Sequence, residues 1–244
     1  MHLESSMTSS ALGAHRHEHA LNRLRAVSSL SDLLSQMIAE PQVEGHLGFC
    51  QVRTPEQWEG VLRFRLAQYE KRLPYMLHEL GPDGMDALDA RSSTFAAQWN
   101  GDVVATIRLT PHPYETSQYV SEDRLTRFLG GAWDSSYLEW SRLLIDGGAP
   151  IRRLMPAILV YAGLHVLSST PYSHYFGYAS LRVQPVFARF RMTADTETFS
   201  IPKRGAHAYA LLKGDFAESL HYFIERLRTP VLSALASRHA SQSC

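Results

Sequence analysis

Residues 137–146 read Tyr-Leu-Glu-Trp-Ser-Arg-Leu-Leu-Ile-Asp, an apolar run stopped by Gly147-Gly148, and the pattern predicts a buried strand. Two charged residues, Glu139 and Arg142, interrupt it. Side chains alternate along a strand, so positions three apart are expected on opposite faces of the sheet. A charge inside a sheet is costly unless it is paired or used. The two residues therefore belong either to a structural ion-pair network or to a reactive site.

The flanking pattern supplies the elements around this strand. Residues 1–18 have no hydrophobic period and are expected to be a disordered tail. Leu21, Leu24, Val27, Leu30, Leu34 and Met37 keep helical spacing, which predicts an N-terminal helical extension over 19–45, ended by Pro41. It is either an added layer on the domain or a helix for a partner. Residues 46–244 are expected to form one domain. Gly48 to Arg53 is a short strand. Thr54-Pro55-Glu56-Gln57 starts a helix that runs to about Arg72, with Arg65 and Tyr69 stacked one turn apart. Residues 73–93 read as a loop carrying Asp86 and Asp89. Asn100-Gly101 suits a tight turn between strands Thr94–Trp99 and Val103–Leu109. A short helix or irregular stretch is expected over 118–130. After the 137–146 strand come a helix from Ile151 to Leu167, an aromatic strand from Tyr172 to Ala179, and a helix over Leu181–Phe190 interrupted at Pro185. Strands at Phe199–Ile201 and Ala208–Leu212 and a final helix over Asp215–Ser237 complete the chain. The mixed order points to an α/β (α+β) domain: a central mixed sheet with helices on both faces and an extra N-terminal helix.

Composition narrows the function classes. The 244 residues are 45% hydrophobic, enough for one large domain and its core. Lys+Arg and Asp+Glu stand at 24 each, so no global field favours nucleic acid or a membrane surface. Two cysteines are too few for a disulfide framework, and no apolar run is long enough to span a bilayer. A soluble cytoplasmic protein is expected. His15, His17 and His19 match no closed metal-ligand set, and no metal site is expected.

The order of residues over 60–145, about a third of the chain, resembles the acyl-homoserine-lactone (autoinducer) synthases and the related N-acyl amino acid synthases, which share a GNAT-like acyltransferase fold. Arg65 and Tyr69 match the arginine and aromatic of the family's first helix. Leu73-Pro74-Tyr75 falls where the family has Leu-Gly-Trp. Asp86 and Asp89 match its Asp-x-x-Asp pair, Arg108-Leu109 the Arg-Leu at the end of its hairpin, and Glu139-Trp140-Ser141-Arg142 its Glu-x-Ser-Arg. The family's Pro-Thr pair is replaced by Thr110-Pro111-His112-Pro113.

The resemblance implies transfer of an acyl chain from an acyl carrier protein or CoA thioester to the amine of S-adenosylmethionine or of an amino acid, with no bound cofactor. A linear N-acyl amino acid and a non-catalytic acyl-carrier-binding module are the alternatives. By carry-over, Glu139 would orient or deprotonate the amine, or else pair with Arg108 or Arg142. Backbone amides at Leu143 and Leu144 would bind the oxyanion. Asp86 and Asp89 would hold a cationic acceptor. Arg65 and Arg108 would pair with these acids or bind the acceptor carboxylate. Tyr69, Tyr75, Ser141 and Arg142 would complete the acceptor pocket. Gly147-Gly148-Ala149-Pro150-Ile151-Arg152-Arg153 places its glycines ahead of its arginines, the reverse of the coenzyme A loop of this fold. Arg152, Arg153, Arg182, Arg189 and Arg191 are either a solvated basic face or the contact surface for an acidic acyl carrier protein.

Overall fold

In the computed structural model, residues 31–36, 38, 44–151, 153–188, 190–225 and 227 are described. Residues 31–36 and 38 are helical, and Leu34 and Ile38 are buried in the main core. The expected tail, Arg152, Arg189 and the chain after 227 lie outside the described residues.

Strand β1 (Leu47–Gln51) leads to helix α1 (Pro55–Arg72). The α1 start is local chemistry. Thr54 Oγ1 accepts the Gln57 amide at 3.3 Å, and Gln57 Oε1 accepts the Thr54 amide at 3.1 Å. Pro55 fills the first turn, where no N–H is needed. The expected loop over 73–93 contains two short 3₁₀ helices, Pro74–Glu79 and Asp89–Arg91. Strands β2 (Ser93–Trp99) and β3 (Asp102–Thr110) form the hairpin. Asn100 and Gly101 take φ values of 51° and 93° there, the left-handed pair that a tight primed turn requires. A further 3₁₀ turn (Thr116–Gln118) precedes α2 (Glu122–Leu129), and a single turn (Trp133–Ser136) precedes β4 (Tyr137–Ile145). Helix α3 (Leu154–Ser169) carries Pro156 in its first turn. Strand β5 (His174–Ser180) follows. The helix expected over Leu181–Phe190 is confined to Gln184–Ala188. Strand β6 (Thr193–Ser200) reaches further back than the three residues expected, and β7 (Ala208–Asp215) runs into a helical segment at 216–225 and 227.

The seven strands lie in the order β1-β2-β3-β4-β5-β7-β6. Every neighbouring pair is antiparallel except β4 and β5. On one face, Phe95, Ile107, Leu109 and Leu138 pack with Ile158 and Tyr161 of α3 and with Phe216 and Phe223 of the C-terminal helical segment. On the other face, α1 covers the sheet through Val61 against Val52 and Ala96, and through Tyr69 beside Leu144. Helices thus flank both faces of a mixed sheet, as the patterning predicts. No described helix is long and apolar enough to cross a membrane.

Two irregularities in β4 shape the molecule. From Arg108↔Ser141 to Thr106↔Leu144, β3 advances two residues and β4 three, so β4 carries one extra residue. Arg142, at φ 50°, sits in this bulge. Strand alternation is broken there, which corrects the expectation that Glu139 and Arg142 point apart: both reach the α1 face. On the other edge, the parallel pairing of β4 with β5 runs only from Tyr137↔His174 to Glu139↔Phe176. Beyond Glu139 the two strands part. Gly177 marks the divergence, since a Cβ there would lie 2.6 Å from Trp140 Nε1 and 2.7 Å from the Trp140 carbonyl oxygen.

Candidate active site

The site lies where β3 and β4 meet α1. Thr106, Arg108 and Thr110 of β3 and Glu139 of β4 are all buried polar or charged side chains. Arg65, one turn before Tyr69 on α1, points its guanidinium at Asp89, with Nη1–Oδ2 at 2.6 Å and Nη2–Oδ1 at 3.1 Å. Neither side chain is exposed. Asp89 Oδ1 also accepts Arg108 Nη1 at 3.2 Å, and its Oδ2 accepts the Asp86 amide at 2.9 Å. Arg108 donates further to Asp86 at 2.5 and 2.6 Å, to Glu115 at 2.8 Å, and through Nε to Ser141 Oγ at 3.0 Å. The bulge delivers Arg142 to Asp86 at 2.7 Å, to Glu79 at 3.3 Å and to the Tyr69 hydroxyl at 3.3 Å.

Asp86 and Asp89 are therefore occupied by the arginines rather than left open. Burial pushes the Asp86 carboxyl up, but Arg142 and Arg108 outweigh it and hold the group down at about 2. Glu115 is likewise lowered: burial opposes ionisation, and the Arg142 and Arg108 charges reverse it.

Glu139 differs. Its carboxylate accepts the Glu115 amide at 2.5 Å, the Thr116 amide at 3.0 Å and the Thr116 hydroxyl. The loop that supplies these donors is anchored by Tyr114, whose hydroxyl donates to the carbonyls of Tyr137 at 2.9 Å and Trp133 at 3.0 Å. Among the described residues no cation forms an ion pair with Glu139, neither Arg108 nor Arg142. Burial first, then the neighbouring Glu115 carboxylate, push its carboxyl up to about 7, against the pull of the three hydrogen bonds. A carboxylate poised there accepts and releases a proton near neutrality.

Other sequence-derived residues fall at the margin. Tyr75, half-buried, stands 6.2 Å ring to ring from His207. Leu144 is buried beside Tyr69 and Met76, and Leu143 packs against the opposite core. Arg153 and Arg182 are exposed and join no ion pair of the cluster. Arg191 lies 5.9 Å from the Tyr222 ring.

Three charged members escaped the sequence reading. Glu79 ends the first 3₁₀ helix, Glu115 follows the β3 strand, and Arg204 sits between β6 and β7. Arg204 binds Glu79 through Nε at 2.6 Å and Nη2 at 2.7 Å, and Glu115 through Nη2 at 3.1 Å. Nothing local marks Glu79 and Arg204, whose ion-pair partners in the cluster lie far away in sequence, and Glu115, seven residues from Arg108, also meets Arg204 from 89 positions away. The only signal was the turn-forming Pro202-Lys203-Arg204-Gly205. The cluster balances four guanidiniums (65, 108, 142, 204) against four carboxylates (79, 86, 89, 115), with Glu139 as the fifth acid.

No family model and no curated protein matches the chain. Solved structures do. The CoA-dependent acyl-homoserine lactone synthase BjaI, solved with SAM and isopentyl-CoA, is 17% identical, with 77% of this chain and 91% of that chain covered at a TM-score of 0.55. The AHL synthase LasI is 13% identical, covering 71% and 91% at 0.54. FeeM, an N-acyl amino acid synthase from uncultured soil microbes, is 12% identical, covering 72% and 94% at 0.51. At such identities the likeness is one of architecture, and it agrees with the seven-stranded mixed sheet and its flanking helices: the chain has the GNAT-like acyltransferase fold that the autoinducer and N-acyl amino acid synthases share.

Proposed function

We propose that the protein is an N-acyltransferase that moves an acyl chain from a thioester to an amine. The observation that carries this reading is Glu139: a fully buried carboxylate, poised near neutrality, beside the point where β4 and β5 separate. In this reading Glu139 takes a proton from the acceptor ammonium, directly or through a water. The freed amine nitrogen attacks the thioester carbonyl carbon. The carbonyl oxygen becomes an oxyanion, held by backbone amides of β4 around Leu143 and Leu144. The intermediate collapses, the C–S bond breaks, the nitrogen gives up its second proton as the amide forms, and the leaving thiolate takes up that proton.

The acyl chain is assigned to the apolar face of the splay. A cavity of about 30 Å³ lies there, lined by Ile107, Leu109, Trp140, Tyr175, Leu159 and Phe216 among others. At that size it admits an acyl chain only as its lining side chains move. The acceptor is assigned to the charged face. With each of the four guanidiniums already facing carboxylates, the cluster offers Glu139 to a cationic amine and no spare cation to an anion. S-adenosylmethionine and an amino acid both carry an α-carboxylate, so what favours S-adenosylmethionine as the acceptor is its additional sulfonium charge, which the fifth carboxylate of the cluster offsets. Tyr75, standing where the resembled family has tryptophan, favours the second reading, an amino acid acceptor and a linear product. An acyl carrier protein is the proposed donor, with exposed Arg153 and Arg182 as contacts, and the reaction belongs in the cytoplasm, where such thioesters form.

The test incubates purified protein with acyl carrier protein and CoA thioesters and with either acceptor, following thiol release and product mass. Amine-dependent thiol release that vanishes in Glu139→Gln supports the reading. A lactone or a linear amide identifies the acceptor. No amine-dependent release from any thioester, or full activity in Glu139→Gln, overturns it.

A further inference from the structure

Arg204 is 3% exposed although it sits in the turn between β6 and β7. The turn is built for it: Lys203 and Gly205 take φ values of 66° and 73°, and the Arg204 amide donates to the Ile201 carbonyl at 3.2 Å. The guanidinium is directed inward between Tyr178 and Tyr119, with ring centroids at 5.5 and 5.8 Å. It donates to the Tyr178 hydroxyl at 2.8 Å, and that hydroxyl donates to Glu115 Oε1 at 2.8 Å. Arg204 also reaches Glu115 Oε1 itself at 3.1 Å. Glu115 is the residue whose backbone amide bonds Glu139 at 2.5 Å.

We propose that Arg204 is a positioning residue for the proton transfer assigned to Glu139: it pins the Glu115 side chain, so that the Glu115 and Thr116 amides stay aimed at Glu139, and it offsets the negative charge of Glu115 beside the base. The inference rests on the acyltransferase reading for its meaning but not for its test. Arg204 touches no reacting atom; it acts through Glu115.

The groups around the pair are defined. Glu139 faces Glu115 and Tyr114 from the loop after β3, and Tyr178 from β5. Glu115 faces Arg108 on β3, Arg142 on β4, Tyr178 on β5 and Arg204 on the β6–β7 turn. Of the three cations, Arg108 and Arg142 also neutralise Asp86, whereas Arg204 divides its charge between Glu115 and Glu79. Removing Arg204 leaves Glu115 less compensated, and a less compensated neighbour makes Glu139 hold its proton to higher pH.

Two readouts test this. In the pH profile of kcat/KM, the acidic limb of Arg204→Met is expected about one unit above that of the wild type, and Arg204→Lys, which keeps the charge, is expected to restore most of the shift. The ¹³C carboxyl titration of Glu139, assigned by its loss in Glu139→Gln, is expected to move in the same direction without any turnover. If Arg204→Met does not fold, Arg204→Gln, which keeps a hydrogen-bond donor and removes the charge, takes its place, and the same upward shift is expected. Lowered activity with an unmoved limb and an unmoved titration overturns the proposal and leaves Arg204 a purely structural residue. If the wild type releases no thiol, the acyltransferase reading falls, and the titration still decides the role of Arg204.

Discussion

The Arg65–Asp89 pair allows the energetics of the charged site to be measured. Both side chains are fully buried and meet through two hydrogen bonds of 2.6 and 3.1 Å. Replacing Asp89 by Leu leaves Arg65 charged, buried and without a carboxylate; its remaining contact is the Gly84 carbonyl at 3.3 Å. Breaking one side of a buried pair costs about 3–5 kcal/mol. For a chain of this size roughly 2–4 °C of melting temperature accompanies each kcal/mol, so a fall of roughly 6–20 °C is expected. Replacing both residues, Arg65→Met with Asp89→Leu, removes the stranded charge. Arg108 then still holds Asp86 and Glu115, so no second cation is orphaned. The double variant is expected to be more stable than Asp89→Leu alone, although the Asp86 amide loses its acceptor. Equilibrium urea unfolding of the four proteins in a double-mutant cycle gives the coupling directly. The exposed Arg63–Glu59 pair, one turn apart on α1 at 3.7 Å, serves as the control and is expected to show almost no coupling. A cycle in which the two buried changes simply add, or a cost for Asp89→Leu below about 1 kcal/mol, refutes the picture of interlocked buried charges.

Four further outcomes are expected. Gly177→Ala places a methyl 2.6–2.9 Å from three Trp140 atoms, so it is expected to cost about 1–3 kcal/mol in chemical denaturation and to lower acyl transfer by disturbing the splay. The Glu139 carboxyl is raised in the folded state, so the folded protein binds the extra proton and stability falls as pH rises from about 4.5 to about 7. The full loss is on the order of 3 kcal/mol, and this slope is expected to be absent from Glu139→Gln unfolding curves. Asp86 is depressed instead, so its contribution is present above pH 3.8 and lost as pH falls through about 2, and Asp86→Asn is expected to flatten that acid limb. Thr116→Val removes the hydroxyl that donates to Glu139 and is expected to shift the acidic limb of activity to higher pH, read in the same thiol-release assay.

What the sequence disclosed and what it withheld divide along the range of the forces involved. The capping box at Thr54 and the Asn100-Gly101 turn are decided by four or fewer neighbouring residues, and both were readable. The site residues Arg65, Asp86, Asp89, Arg108, Glu139 and Arg142 were named because they stand in a recognisable order, and the structure brings all six within one charged face. Their mutual arrangement was not readable. The opposed placement expected for Glu139 and Arg142 followed from strand alternation, and one extra residue in β4, set by its register with β3, cancels it. No apolar or polar pattern records such a bulge, because the bulged residue is itself a charged one among apolar neighbours.

Glu115 and Arg204 were hidden for a second reason. The Arg204–Glu79 contact spans 125 positions and the Arg204–Glu115 contact 89. A buried arginine is stabilised when its counter-charge is buried with it, so the four-against-four pairing is a property of the closed chain and of no segment within it. The same closure explains why Glu139 is distinct. The cluster neutralises itself in four-against-four pairing, and the fifth carboxylate, held by backbone amides rather than by a cation, is pushed up to about 7. Had any of the four arginines paired with Glu139, its carboxyl would sit low, as that of Asp86 does, and the site would hold no base for an ammonium acceptor.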